Sequence, residues 1–137
     1  MRLFDASSII EILSTERRGG VDLFKEGTRT DLTLFEVGNV VWKTRGQRGL
    51  KNPGEATSRV REAGKVLGLM AVAHLEPGEA EYVLEVVLSY GLSFYDASYL
   101  YIAIRNGLTL VTEDEALRKA AIQAGCNTER VAEIVPP

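Results

Sequence analysis

Apolar residues recur along the chain in two rhythms, runs of two to four and longer stretches at helical spacing, and their alternation predicts strands interleaved with helices. Leu3-Phe4 is a short apolar run, and Ser8-x-x-Glu11 has the form of a capping box opening a helix through Leu13. Arg17 to Gly20 reads as a loop, and Val21 to Glu26 as a short helix stopped by Gly27. Asp31-Leu32-Thr33 is a candidate second strand. Phe35, Val37, Val40, Val41 and Trp42 then fall at roughly helical spacing between Leu34 and Thr44, ending near Gly46. Pro53-Gly54 starts a helix running from Glu55 to about Leu69, Met70 to Leu75 alternates loosely as a strand, and Pro77-Gly78 opens a helix reaching Tyr90-Gly91. Leu92 to Tyr95 lead into a helix from about Asp96 to Asn106, closed by Gly107. Leu108 to Val111 is the clearest buried strand, a helix from Asp114 to Ala124 closes at Gly125, and Val131 to Val135 is a candidate last strand. This order predicts an α/β class with a mainly parallel sheet covered by helices on both faces.

With 137 residues, 45% of them hydrophobic, residues 1–137 suit a single domain that buries a core without disulfides. The one cysteine, Cys126, excludes an intramolecular disulfide and a paired-cysteine zinc site. Asp5 interrupts the amino-terminal apolar run and no stretch is apolar enough to cross a bilayer, so the expectation is a soluble cytoplasmic protein without a membrane partner. The net charge of −3 argues against general nucleic-acid coating, but the two signs are segregated. Residues 17 to 65 hold eleven lysines and arginines against six acids; residues 66 to 137 hold four against ten.

Sheets of this kind place functional groups at the carboxyl ends of their strands. Only five aspartates occur against fourteen glutamates, and three of the five stand at such positions. Asp5 and Asp114 follow apolar strands, and Asp96 stands at a helix start. Glu36 is a fourth acid, near the beginning of a largely apolar helix. Asp96 and Asp114 also suit helix caps or first-turn acids, and Glu36 suits the third residue of a box begun by Thr33. Asp5 has less structural use, because Ser7 and Ser8 already offer caps. Four acids at one sheet end would repel one another unless a cation neutralised them. An oxygen-only donor set suits a hard ion, Mg²⁺ or Mn²⁺.

Phe4-Asp5-Ala6-Ser7, Thr33-x-x-Glu36-x-x-Asn39, Phe94-Tyr95-Asp96-Ala97 and Leu110-Val111-Thr112-Glu113-Asp114 resemble, in order and spacing, the four acidic motifs of PIN-domain nucleases. The chain is most similar to the VapC-type toxin ribonucleases within that family. The resemblance spans essentially the whole chain and implies a three-layer α/β/α sandwich. It further implies Mg²⁺ or Mn²⁺ held by Asp5, Asp96 and Asp114, with Glu36 acting nearby through water. Ser7 and Thr112 look like the hydroxyl residues that support those carboxylates. The expected activity is metal-dependent endoribonuclease cleavage of single-stranded or structured RNA, with an antitoxin protein as partner. A processing or ribosome-maturation nuclease and a non-catalytic RNA-binding or interaction domain are the alternatives. An aspartate-nucleophile phosphatase would want a second acid two residues after the first, and Asp5-Ala6-Ser7 has none.

Lys43, Arg45, Arg48 and Lys51 form a cationic stretch suited to phosphate-backbone contact, or simply to a solvated loop. Trp42 and Phe35, among valines at helical spacing, are expected in core or subunit packing, and their excess over what one small helix needs predicts a homodimer. His74 has no partner nearby in sequence and reads as structural. Cys126 lacks a neighbouring base and is not expected to act as a nucleophile. Glu76, Glu79, Glu81 and Glu85 read as an exposed acidic stretch serving solubility.

Overall fold

Residues 1–15, 19–46 and 53–135 are described by the computed structural model. Strand β1 (Arg2–Phe4) is followed by helices α1 (Ala6–Thr15) and α2 (Gly20–Lys25), then by β2 (Thr28–Thr30). Helix α3 (Asp31–Val41) runs into a π-helical turn over Trp42–Gly46, and α4 (Pro53–Leu67) leads to β3 (Ala71–Ala73). A 3₁₀ turn at Pro77–Glu79 precedes α5 (Ala80–Tyr90) and α6 (Phe94–Asn106). The chain closes with β4 (Thr109–Val111), α7 (Glu115–Gln123), β5 (Thr128–Glu129) and α8 (Val131–Ile134).

Among the described residues the strands form one sheet in the order β3-β2-β1-β4-β5, with every pairing parallel. Short strands suffice because helices bury both faces. Adjacent residues of a strand point to opposite faces, and Leu3 and Leu110 pack with α5, α6 and α7 while Phe4 and Val111 pack with α1, α2, α4 and α8. The result is a three-layer α/β/α sandwich. Strand order reverses between β1 and β4, whose register pairs Phe4 with Val111. The crevice beyond the carboxyl ends of those two strands is where such sheets hold their ligands.

Strand β5 has no counterpart in the sequence reading, and two of the predicted strands are differently placed or of a different kind. The second strand is Thr28–Thr30, and the segment Asp31-Leu32-Thr33 is the first turn of α3. The Thr30 amide donates to Thr33 Oγ1 at 3.1 Å in a capping box, which turns the chain into a helix one residue after the strand. The apolar segment Val131–Val135 is likewise no strand. The Val131 amide donates to Glu113 Oε1 at 2.7 Å and starts α8, whose Val131 is buried against the α1 layer. Of the expected basic stretch, Lys43 is exposed on the π-helical turn, whereas Arg48 and Lys51 lie outside the described residues.

Candidate functional site

Asp5 is the first residue after β1 and sits at the point where strand order reverses. It is itself the cap of α1. The helix begins earlier than Ser8-x-x-Glu11 suggests, and Asp5 Oδ1 accepts the Ser8 amide at 2.9 Å. Ser8 is buried inside the helix, with its hydroxyl donating to the Asp5 carbonyl at 2.9 Å. The expectation that Asp5 had little structural use is therefore corrected.

The Asp5 carboxylate is held from both sides. Ser7 Oγ donates to Oδ1 at 2.7 Å, and Thr112 Oγ1, from the end of the neighbouring β4, donates to Oδ2. Thr112 Oγ1 also accepts the Asp114 amide at 3.0 Å, and Ser7 Oγ accepts the Glu113 amide at 2.9 Å. Two hydroxyls thus tie the Asp5 turn to the turn carrying Asp114 (with Ser7 Oγ 3.3 Å from Thr112 Oγ1). Asp5 is buried, and that desolvation pushes its carboxyl above the ordinary aspartate value, against the pull of the Thr112, Ser7 and Ser8 donors.

Asp96 and Asp114 arrive on helix starts, and Glu36 on the middle of one. Asp96 is the third residue of α6, and the cap of that helix is Ser93, whose Oγ accepts the Asp96 amide at 3.1 Å. Capping is therefore not what Asp96 does. Asp114 does cap its helix, with Oδ1 accepting the Leu117 amide at 2.8 Å, while remaining exposed. Glu36 stands mid-way along α3 and belongs to no capping box; Thr33 serves Thr30 instead. Its Oε1 accepts the Tyr99 hydroxyl at 2.6 Å.

Electrostatics show that these groups sense one another. Partial burial raises the Glu36 carboxyl, the Tyr99 hydrogen bond opposes the rise, and the charges of Asp5 and Asp96 add to it. Asp96 is raised first by burial, then by Asp114 and Asp5, with Ser93 opposing. Among the described residues none of the four acids is paired with a lysine or arginine. Among those residues, too, no set of three acidic, histidine or cysteine side chains is grouped tightly enough to hold one ion by direct contact alone. The donors are all oxygen, and their mutual repulsion is uncompensated. That chemistry fits a hard divalent cation that keeps much of its water shell.

Several side chains behave differently from the sequence reading. Tyr99, which carried no expectation, is 1% exposed and joins Glu36 to Thr33, whose Oγ1 is 2.8 Å from the phenol oxygen. Burial and its hydrogen bond to Glu36 raise the phenol strongly. Its spacing from Asp96, one turn of helix at i+3, is the only sequence signal that places it toward the acids. His74 does have a partner: Nδ1 lies 2.7 Å from Asp31 Oδ2, at the carboxyl ends of β3 and β2. Phe35 and Trp42 are not in the core of this chain, with 72% and 51% of their surfaces exposed. Glu79 is not merely a solubilising acid. It accepts the Tyr101 hydroxyl and Arg105 Nη1, each at 2.6 Å, and these partners hold its carboxyl down at about 2. Cys126 is buried, which pushes its thiol up and away from reactivity.

A family model described as PIN domain matches residues 2–123. Two proteins of Pyrobaculum aerophilum are similar in sequence. One, named Exonuclease VapC9, is 41% identical over 86 residues, covering 63% of this chain and only 60% of its own length. The other, named Ribonuclease VapC3, is 30% identical over 118 residues, covering 82% of this chain and 88% of its own. A crystal structure of a P. aerophilum protein superimposes with a TM-score of 0.79 at 29% identity, over 97% of this chain and 92% of that one. A structure described as a toxin-antitoxin complex from Klebsiella pneumoniae gives a TM-score of 0.59 at 19% identity, over 83% and 87%, a likeness of fold alone.

Proposed function

From the premise that the chain belongs to the PIN-domain family, we propose that it is a divalent-metal-dependent endoribonuclease and the toxin of a toxin-antitoxin pair. Asp5, Asp96 and Asp114 would hold Mg²⁺ or Mn²⁺ in this reading, partly through the ion's own water shell, and Glu36 acts beside them. The observation that carries it is the convergence on the carboxyl end of the sheet of four carboxylates that no described lysine or arginine pairs, with Glu36 and Asp96 raised by burial and further by their neighbours' charge. A bound divalent ion supplies Lewis-acid polarisation of a phosphate and a lowered pKa for water.

The residues divide the remaining work. Asp5 is fixed in one orientation by Ser7, Ser8 and Thr112, so little reorganisation is needed when charge arrives. Glu36, half-buried and with its carboxyl raised above the ordinary glutamate value by that burial, is placed to take a proton from attacking water in its ionised form, with Tyr99 fixing its carboxylate. Water attacks phosphorus directly while the bond to the leaving sugar oxygen breaks and that oxygen takes a proton from solvent, so no covalent enzyme intermediate is required. Lys43 is exposed to meet the RNA backbone, a role extended to Arg45, Arg48 and Lys51.

The names of the relatives support the toxin reading, and a reading frame for a small DNA-binding protein next to this gene is the expected genomic context. Phe35 and Trp42, exposed on α3 and the turn after it, supply apolar surface for a homodimer. An apolar groove lined by Ile10, Leu13, Val37, Val40 and Ala63 supplies surface for the antitoxin. Among the described residues no helix is long and apolar enough to cross a membrane.

The test is cleavage of an end-labelled single-stranded RNA with Mg²⁺ or Mn²⁺. Internal fragments that disappear with chelator and with Asp96→Asn are expected. Stepwise release of terminal nucleotides would replace the endonuclease reading by an exonuclease one, and undiminished cleavage by Asp96→Asn would remove the metal assignment.

A further inference from the structure

A second pocket opens at the same end of the sheet. It lies between the carboxyl ends of β2 and β3 and the first turn of α6, has a volume of about 250 Å³, and is lined by Thr30, Asp31, Leu32, Leu75, Phe94 and Tyr95 among others. We propose that this pocket binds one nucleobase of the RNA strand being cut, with Tyr95 stacking on the base and Asp31 accepting a hydrogen bond from an exocyclic amino group. The inference rests on the nuclease reading and extends it to base selection.

The pocket is smaller than those that take drug-sized ligands, which suits a single ring system. Its aromatic wall is unusual for a surface position. Phe94 and Tyr95 are 41% and 61% exposed, and among the described residues neither ring stacks on another. Single-stranded RNA is recognised by splaying bases onto such rings. Leu32 and Leu75 supply the apolar remainder.

The polar groups narrow the choice of base. Ser98 Oγ, also in the lining, already donates to the Tyr95 carbonyl at 2.6 Å, and the Thr30 hydroxyl lies 3.3 Å from Thr33 Oγ1. Both hydroxyls are thus engaged within the protein, and the Asp31 carboxylate is the one charged acceptor in the lining, so it is the group that selects. His74 Nδ1, 2.7 Å from Asp31 Oδ2, holds it in place from the residue just after β3. A carboxylate only accepts, so it favours a base edge carrying an N–H₂ group, such as cytosine N4, over the carbonyl at that position in uracil.

Position ties the pocket to the reaction. Tyr95 immediately precedes Asp96, and the pocket residue Thr30 connects through Thr33 and Tyr99 to Glu36. A base seated here brings its own backbone to the acids.

The experiment measures binding of cleavage-resistant 2′-O-methyl phosphorothioate hexamers of cytidine and of uridine to wild-type protein, Tyr95→Ala and Asp31→Asn, with thermal melts to verify folding. Cleavage of unmodified RNA is followed in parallel. Wild type should bind the cytidine hexamer about fivefold or more tighter than the uridine one. Tyr95→Ala should weaken both by about 5- to 150-fold. Asp31→Asn should abolish the cytidine preference. Equal affinity of wild type for the two hexamers, no binding of either, or a folded Tyr95→Ala protein within twofold of wild type would overturn the proposal. Selective binding by a wild-type protein that cuts no RNA would instead count against the nuclease reading and leave the base pocket standing.

Discussion

Tyr99→Phe tests the link between the core and Glu36 most cleanly, because phenylalanine keeps the ring that fills a site only 1% exposed. Packing changes little, and the hydroxyl is what disappears. That oxygen donates to Glu36 Oε1 at 2.6 Å and lies 2.8 Å from Thr33 Oγ1. A hydrogen bond to a charged acceptor contributes about 1.5–3 kcal/mol, and the half-buried position of Glu36 pulls the figure toward the lower end. Thr33 keeps the Thr30 amide as a partner, so its loss adds under about 1 kcal/mol. The expected total is about 2–3 kcal/mol, or a melting temperature lower by roughly 6–15 °C for a chain of this size. The same substitution in a Glu36→Gln background should cost only about 1 kcal/mol, since the lost bond is then neutral. Tyr99 is also the main influence holding the Glu36 carboxyl down, so in Tyr99→Phe that carboxyl climbs further. The acid limb of the cleavage pH profile should move to higher pH. Denaturant unfolding of the four proteins in the double-mutant cycle gives the stabilities. Equal penalties in both backgrounds, or a Tyr99→Phe protein within about 0.5 kcal/mol of wild type, would refute the reasoning.

Thr112→Val removes the donor to Asp5 Oδ2 and the acceptor for the Asp114 amide in a fully buried position. It should cost about 1–3 kcal/mol by urea unfolding; a neutral result would mean that the two turns are not coupled through this hydroxyl. Gly27→Ala places a Cβ 2.7 Å from Phe4 Cε2 and 3.2 Å from the Leu23 carbonyl, and overpacking of that kind costs about 1–3 kcal/mol. An alanine variant as stable as wild type would contradict the close approach of α2 to β1. Glu79 is held down at about 2 by Tyr101 and Arg105, below its ordinary 4.5. Its stabilising effect is therefore present above pH 4.5 and lost as pH falls toward 2, and the stability gap between wild type and Glu79→Gln should close across that window. A gap independent of pH would show that the carboxylate is not what Tyr101 and Arg105 engage.

The strands that carry Asp5 and Asp114, and the helix that carries Asp96, were legible because each follows an apolar run ended by a polar turn. Leu3-Phe4 and Leu110-Val111 split between the two faces of the sheet, so the hydrophobic pattern alone marks them as central strands. The β2–α3 boundary was not legible. Thr30 and Thr33 are β-branched and look like strand residues, yet their hydroxyls at i,i+3 make a helix cap. Val131 to Val135 misled for a related reason: five residues are too few to distinguish the periods, and the anchor that makes them helical is Glu113, eighteen residues upstream. The same distance problem hides the site's supports. Tyr99 and Glu36 are 63 residues apart, His74 and Asp31 43 apart, and only the parallel crossovers bring them together. Asp5 shows the opposite ambiguity, since one carboxylate serves as helix cap and as a member of the acid cluster.

Stabilisation by Mn²⁺, followed by thermal unfolding of wild type and Asp96→Asn, bears most directly on the claim that the four acids form a metal site. An ion that binds only the native protein stabilises it by about 2.7 kcal/mol at a concentration a hundredfold above its dissociation constant. Wild type should therefore melt several degrees higher in millimolar Mn²⁺. Because Ser93 and not Asp96 caps α6, the metal-free Asp96→Asn protein should be as stable as wild type or slightly more so, having lost one source of like-charge repulsion. It should also gain little or nothing from the ion. A wild-type melting temperature unmoved by Mn²⁺, or an equal rise in Asp96→Asn, would contradict the account.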